Sequence, residues 1–155
     1  MTAILIKPLA EAPGLMPVVQ AWFEAEWPGH YGPGGRGDAK RDVSAYCHVG
    51  SLPLGLVAFL GGEPCGFVAL KSEPFPTHPQ LSPWAGAAYV VPPLRRRGIG
   101  QALLGSLEAD GFRLGHKRLY CATATSASLL LRCGWRLVER VPYEGTTIGI
   151  YERSA

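Results

Sequence analysis

The stretch Tyr89-Val-Val-Pro-Pro-Leu-Arg-Arg-Arg-Gly-Ile-Gly-Gln101 constrains this chain more than any other. An apolar, strand-like run ends on two prolines, three arginines follow, and Gly-x-Gly opens a segment with helical spacing. Proline has no N–H, so a strand cannot keep pairing through Pro92 and Pro93. Backbone groups of Val90 and Val91 are then free where the sheet opens. Gly98 and Gly100 keep side chains away from the start of the helix, where unpaired N–H groups and the positive end of the dipole favour an anion. Arg95, Arg96 and Arg97 add positive charge beside them. The physical reading is a phosphate or diphosphate site. Two familiar phosphate loops do not fit. A P-loop needs Lys-Ser/Thr after its last glycine, and here Gln101-Ala102 follows. The dinucleotide fingerprint needs a third glycine where Leu103 stands. The plainer alternative is a glycine-rich helix start with a solvated arginine run.

The rest of the chain frames this segment. Ala3 to Ile6 reads as a first strand, and Leu15 to Trp27 as an amphipathic helix stopped by Pro28. Gly29 to Gly37 is a glycine-rich loop. Asp38 is a suitable N-cap for a second helix over Ala39 to Val49, with Gly50 at its end. Leu54 to Leu60 and Cys65 to Lys71 are strands of a hairpin joined through Gly61, Gly62 and Glu63. Ser72 to Pro83 carries four prolines and is a long loop. Trp84 to Val91 is a fourth strand, Gly98 to Leu114 a helix capped by Gly115, and Arg118 to Ala122 a fifth strand. A short helix over Ser126 to Arg132 ends at Gly134. Arg136 to Tyr143 and Thr147 to Glu152 close the chain around a Glu144-Gly145 turn. The order is β-α-α-β-β-β-α-β-α-β-β. Strands four and five flank a helix, which requires parallel pairing and a right-handed crossover. The class is therefore α/β, a mixed sheet with helices on both faces, in one domain spanning 1–155.

Composition narrows the function classes. With 155 residues, 47% hydrophobic and 17% charged, the chain can bury a core and is not a disordered tail. No apolar run approaches the ~18 residues of a membrane span, and the N-terminus lacks signal-peptide features. A cytoplasmic, soluble protein with no membrane partner is expected. The net charge of +3 is mild and concentrated in the arginine triplet, which gives no footprint for nucleic acid. Cys47, Cys65, Cys121 and Cys133 form no Cys-x-x-Cys pair and read as small hydrophobes rather than disulfide partners. The histidines are scattered at positions 30, 48, 78 and 116, so no metal site is expected.

Arg95-Arg96-Arg97-Gly98-Ile99-Gly100 resembles the Arg/Gln-x-x-Gly-x-Gly/Ala signature of the GNAT N-acetyltransferase superfamily, and Val90-Val91-Pro92 resembles its usual strand-four ending. The element order agrees with that family's fold over nearly the full chain. The resemblance implies acetyl-CoA as donor. It implies a diphosphate on the backbone amides of Arg96 to Gln101, including Ile99, and a pantetheine arm laid beside strand four near Val90 and Val91. A second family signature, Asn-x-x-Ala-x-x-x-Tyr-x-x-x-Gly-Phe, is matched at its end by Gly134-Trp135. Its Asn position is Thr123, which can still hydrogen-bond the arm. Its Ala position is Ser126, and its Tyr position is Leu130, which cannot donate a proton.

The resemblance implies an N-acetyltransferase acting on a primary amine. Such an amine is mostly protonated at neutral pH, so a base or a water chain must take its proton. The family often places a Glu on strand four, but Trp84 to Pro93 holds no acid. Glu73 and His78, on the proline-rich loop, are the candidate bases. The plainer reading of His78 is a solvent-exposed loop residue. A strand-four amide near Val90 or Val91 is the candidate oxyanion donor. The acceptor wall is expected from Glu26, Trp27, Tyr31 and Trp84, with His30 nearby and Gly29 to Gly37 as a mobile lid. The acceptor is a small-molecule or peptide amine, and the state a monomer or homodimer. A non-catalytic acyl-CoA sensor of the same fold is the alternative, because both the strand-four carboxylate and a tyrosine at position 130 are missing. A nucleic-acid binder using the arginine triplet is the third reading.

Overall fold

The computed structural model describes residues 3–155. Seven strands form one mixed sheet: β1 Ile4–Pro8, β2 Leu54–Leu60, β3 Glu63–Lys71, β4 Trp84–Val90, β5 Arg118–Thr123, β6 Arg136–Tyr143 and β7 Thr146–Ser154. Their order across the sheet is β1-β2-β3-β4-β5-β7-β6. All neighbours are antiparallel except β4 and β5, the parallel pair that the intervening helix requires. The helices are α1 Met16–Glu26, α2 Pro28–Tyr31, α3 Ala39–Tyr46, α4 Ile99–Arg113 and α5 Ala127–Arg132. Among the described residues no helix is long and apolar enough to cross a membrane.

One face of the sheet carries α1 and α3. Val19 and Phe23 of α1, Val43 and Tyr46 of α3, and Val57, Phe67 and Ala69 of the sheet form a closed cluster. Phe23 is fully buried, with ring centroids 5.4 Å from Phe67 and 5.6 Å from Tyr31. Burial of such a ring contributes about 1.5–3 kcal/mol, so Phe23 is a main anchor of α1, with Trp22 packed on Tyr89 beside it. The other face carries α4 and α5. Ile99, Leu103, Leu104, Leu107 and Leu130 pack on Leu54, Leu56, Val68 and Leu70. A third cluster, Trp84, Tyr120, Ile148 and Ile150, lies beneath Phe75 and Leu81 of the proline-rich loop.

The differences from the sequence reading are local. The hairpin turn is only two residues, Gly61-Gly62, because Leu60 already pairs with Glu63. The second helix ends at Tyr46 rather than Val49. Asp38 does cap it, accepting from the Arg41 amide at 3.1 Å. Pro28 ends α1 but also begins α2, because proline suits the first helical position. The glycine-rich loop is thus less free than expected. Tyr31 stacks on Phe23 and donates its hydroxyl to Asp42 Oδ2 at 2.7 Å, while the Gly37 amide donates to the His30 carbonyl at 2.8 Å.

Candidate active site

The helix start built by the glycine pair comes first. Pro92 and Pro93 begin a 3₁₀ turn, Pro92–Leu94, which lifts the chain out of the sheet. Arg96 and Gly98 then take left-handed conformations, with φ of 65° and 84°. Gly98 is the N-cap of α4 and has no side-chain cap. A Cβ on Gly98 would meet no atom within 4 Å, so the backbone conformation selects the glycine and the space beside it is open. Among the described residues, the amides of Arg96, Arg97, Gly98, Ile99, Gly100 and Gln101 donate to no recorded acceptor, and the first intrahelical bond is Ala102 to Gly98. A run of amides without partners at a helix start, in open space, is chemically suited to a diphosphate. Ile99 has only its amide to offer at this helix start, because its side chain is buried in the core. Arg96 and Arg97 extend into solvent.

Beside this nest the sheet splits. The parallel ladder between β4 and β5 holds only Trp84 with Tyr120 and Ala85 with Cys121. Beyond Ala85, β4 stays with β3 as far as Val90, and β5 stays with β7 as far as Thr123. The gap therefore opens well before the prolines, and its cause is a bulge. Gly86 faces Ala69 and Tyr89 faces Phe67, so Ala87 and Ala88 together stand opposite Val68. Ala87 has φ of 51°, and a bulge of this kind bends and twists its strand away from its neighbour. Sequence reasoning missed the bulge; the run of small residues Ala85-Gly-Ala-Ala88 was its only trace.

The free groups on the edge of β4 differ from the expected ones. The Val91 amide donates to the Cys65 carbonyl at 2.9 Å and is not free. Alternate residues of a strand turn to opposite edges, so Val90 faces the gap. Its carbonyl accepts from Arg95 Nε at 2.8 Å. Arg95 also reaches Glu26 Oε2 with Nη2 at 3.0 Å and lies over the Tyr89 ring. This one arginine thus ties β4 to the end of α1. Across the gap, Thr123 Oγ1 accepts from the amides of Thr125 and Ser126 at 3.1 and 3.0 Å, which leaves its hydroxyl proton to donate.

The other anticipated residues separate into two places. Trp27 and Tyr31 are half-buried around Phe23, on the α1 face. Glu73 is exposed, and its charge acts on Tyr46 and Lys71 of that same face. Trp84 does not line a wall. It is buried between Phe75 and Tyr120, and its Nε1 donates to the Leu81 carbonyl at 2.7 Å. His78 is not an exposed loop residue either. It is 6% exposed, with Nδ1 against Thr77 Oγ1 and Nε2 against Glu139 on β6. Both ring nitrogens are engaged, and the Nε2 contact ties the loop to β6. Leu130 is buried in the α4 face, so that position offers no acid and no polar contact.

The structure also adds groups that sequence reasoning did not single out. Asp42 of α3 accepts from Tyr31, and burial together with Asp42 pushes the Tyr31 hydroxyl far above the ordinary tyrosine range. Burial first, then Asp42 and Glu73, raises Tyr46 in the same way. Lys71 ends β3 on this face, and burial lowers its ammonium below the ordinary lysine range, against the pull of Asp42 and Glu73. The helical phase of Asp42 beside Val43 and Tyr46 was the available signal.

The geometry so far is a donor-rich helix start beside a split in a mixed sheet, with a polar-rimmed aromatic face on α1 and α3. Comparison with known proteins agrees with it. The acetyltransferase (GNAT) family model matches residues 18–135. An aminoglycoside 6'-N-acetyltransferase solved with coenzyme A superposes with a TM-score of 0.78 at 14% identity, covering 97% of this chain and 96% of that one. The aminoglycoside 6'-N-acetyltransferase from Enterococcus faecium gives 0.76 at 14% identity, over 97% and 96%. A GCN5-related N-acetyltransferase from Kribbella flavida gives 0.75 at 16% identity, over 99% and 98%. No curated protein matches the sequence significantly. The sensor reading gains no support from these relatives. With its signature helix start, split sheet and family match in accord, the chain belongs to the acetyltransferase (GNAT) family and is an acetyl-CoA-dependent N-acetyltransferase.

Proposed function

We propose that the chain transfers an acetyl group from acetyl-CoA to a cationic primary amine by direct attack, with no acyl-enzyme intermediate. The observation that carries the reading is the gap between β4 and β5 beyond Ala85 and Cys121, opening beside the acceptor-free amides of Arg96 to Gln101. Those amides, with Arg95, Arg96 and Arg97, hold the diphosphate. The Val90 backbone pairs with the arm once Arg95 releases its carbonyl, and the Thr123 hydroxyl donates from the other side.

The amine arrives over the α1 and α3 face, where Glu26, Trp27, Tyr31 and Asp42 stand. Carboxylates there favour a cation and disfavour an acidic acceptor. The ammonium must lose a proton before it attacks. Glu73, exposed and on this face, takes it through water. His78 has no part in this step, since both its nitrogens are occupied. The amide of Val90 is the donor aimed into the gap where the oxyanion forms. The departing thiolate has a conjugate acid near ~8.5, so it leaves without a tyrosine at position 130. An acetyl-CoA donor supports a cytoplasmic setting for the reaction. The acceptor class is a small-molecule or peptide amine.

A thiol-release assay tests this. The protein with acetyl-CoA is offered a polyamine, an aminoglycoside, an amino-acid amide and a lysine peptide, and CoA binding is measured separately. Acceptor-dependent release of CoA with at least one amine is expected. Tight CoA binding with no release across the panel would overturn the transfer reading.

A further inference from the structure

Lys71 is the one lysine on the inner side of the reaction face. It is the last residue of β3 and pairs with Trp84, the first residue of β4. Its stem then lies across Gly86. An ideal Cβ on Gly86 would stand 3.2 Å from Lys71 Cε and 3.4 Å from Nζ, so any larger residue would push the lysine aside. Gly86 is the first residue of β4 beyond the final β4–β5 pair, and Ala87 beside it begins the bulge. Nζ therefore sits at the narrow end of the gap. From Val90 to Gly86 the strand runs about 13 Å at roughly 3.3 Å per residue. An extended arm anchored on the amides of Arg96 to Gln101 is long enough to deliver its thioester to that end.

The amine is also chemically prepared. Among the described residues Nζ makes no ion pair and no hydrogen bond, although Asp42 of α3, Glu73 of the following loop and Cys121 of β5 all act on its charge. Burial outweighs them and favours the neutral form. A half-buried primary amine at the thioester end is itself an acceptor once its ammonium has given up a proton. Lys7, Lys40 and Lys117 are exposed and lie elsewhere.

From this juxtaposition we propose that Lys71 is a self-acetylation site, modified within the same molecule when acetyl-CoA is bound and no amine acceptor is present. The inference rests on the transfer reading above. A C–N bond forms between Nζ and the acetyl carbonyl carbon, the C–S bond breaks, and its electron pair leaves with sulfur. The proton shed by Nζ ends on that thiolate. The products are free CoA and N-ε-acetyl-Lys71. The amide carries no charge and fills the space over Gly86, so the modification closes the acceptor site and limits itself to one event per chain.

The test is mass spectrometry of the full chain after incubation with acetyl-CoA alone, followed by peptide mapping. One acetyl group per chain is expected, on Lys71, at least about tenfold faster than on Lys7, Lys40 or Lys117, as an oriented amine should react. Its rate per molecule should be independent of protein concentration, and excess CoA should suppress it. Lys71→Arg and Lys71→Met should both lose the modification while retaining CoA-induced thermal stabilisation, which excludes misfolding as the cause. Equal labelling of all four lysines, or labelling unaffected by CoA, would overturn the proposal. If amines are acetylated but Lys71 stays unmodified, this inference fails alone. If CoA neither binds nor is released with any acceptor, the transfer reading fails with it.

Discussion

His78, on the loop between β3 and β4, shares a hydrogen bond through Nε2 with Glu139 on the edge strand β6. The partners are 61 residues apart in sequence. His78 is buried, whereas the Glu139 side chain is 52% exposed, so the contact clasps the loop from the histidine side. Phe75 reinforces it, with its ring 5.6 Å from Trp84 and 4.8 Å from Tyr143.

His78→Ala should therefore cost stability rather than proton transfer. Losing a buried ring and its hydrogen bonds is worth about 1–3 kcal/mol. In a domain of this size that lowers Tm by roughly 2–12 °C, at about 2–4 °C per kcal/mol. The shape of the activity–pH profile should survive. A variant that keeps its Tm but loses most of its kcat would restore His78 as the base.

Gly98→Ala tests the diphosphate nest. With φ of 84°, a side chain at this position is strained by about 1–2 kcal/mol, although nothing crowds it. The backbone should relax out of the left-handed conformation and turn the neighbouring amides away. The expected result is a rise of about tenfold in KM for acetyl-CoA, one hydrogen-bond equivalent, with a smaller change in kcat. Steady-state kinetics at fixed ionic strength would show it. An unchanged KM would mean that these amides do not hold the cosubstrate.

Ala87 carries the bulge. Its φ of 51° is tolerated by alanine but penalises a β-branched residue more heavily. Ala87→Val should lose about 1–3 kcal/mol and reduce kcat, because the gap closes when the bulge is ironed out. Ala87→Gly should fold at least as well as the parent. Chemical denaturation together with initial rates separates the two. Equal stability of all three proteins would remove the bulge as the cause of the split.

Tyr31 and Tyr46 make the protein sensitive to alkali. Both hydroxyls are held far above their ordinary range, by burial first and then by nearby carboxylates. A group raised in the folded state stabilises fully below its unfolded pKa. That contribution is lost as pH climbs above about 10, where the unfolded chain releases the proton first. Stability should thus fall with rising pH from that point. Tyr31→Phe should lose about 1 kcal/mol at neutral pH through its bond to Asp42, and then decline less steeply above pH ~10. Denaturation curves at neutral and alkaline pH check both slopes.

Local chemistry was readable along the chain. The apolar periodicity of α1 and α4, the Asp38 cap, the Glu144-Gly145 turn and the Pro-Pro/Gly-x-Gly junction each depend on neighbouring residues. They therefore set the element order, the parallel β4–β5 pair and the place of the donor-rich start of α4. The contacts around the candidate site and its flanking loop were not readable in that way. His78 meets Glu139, Arg95 meets Glu26, and Lys71 crosses Gly86, all through contacts between separate elements. Trp84 read as part of the acceptor wall until the proline-rich loop was seen to fold over it. The split itself arises from one extra residue in register, and register belongs to a pair of strands rather than to either strand alone.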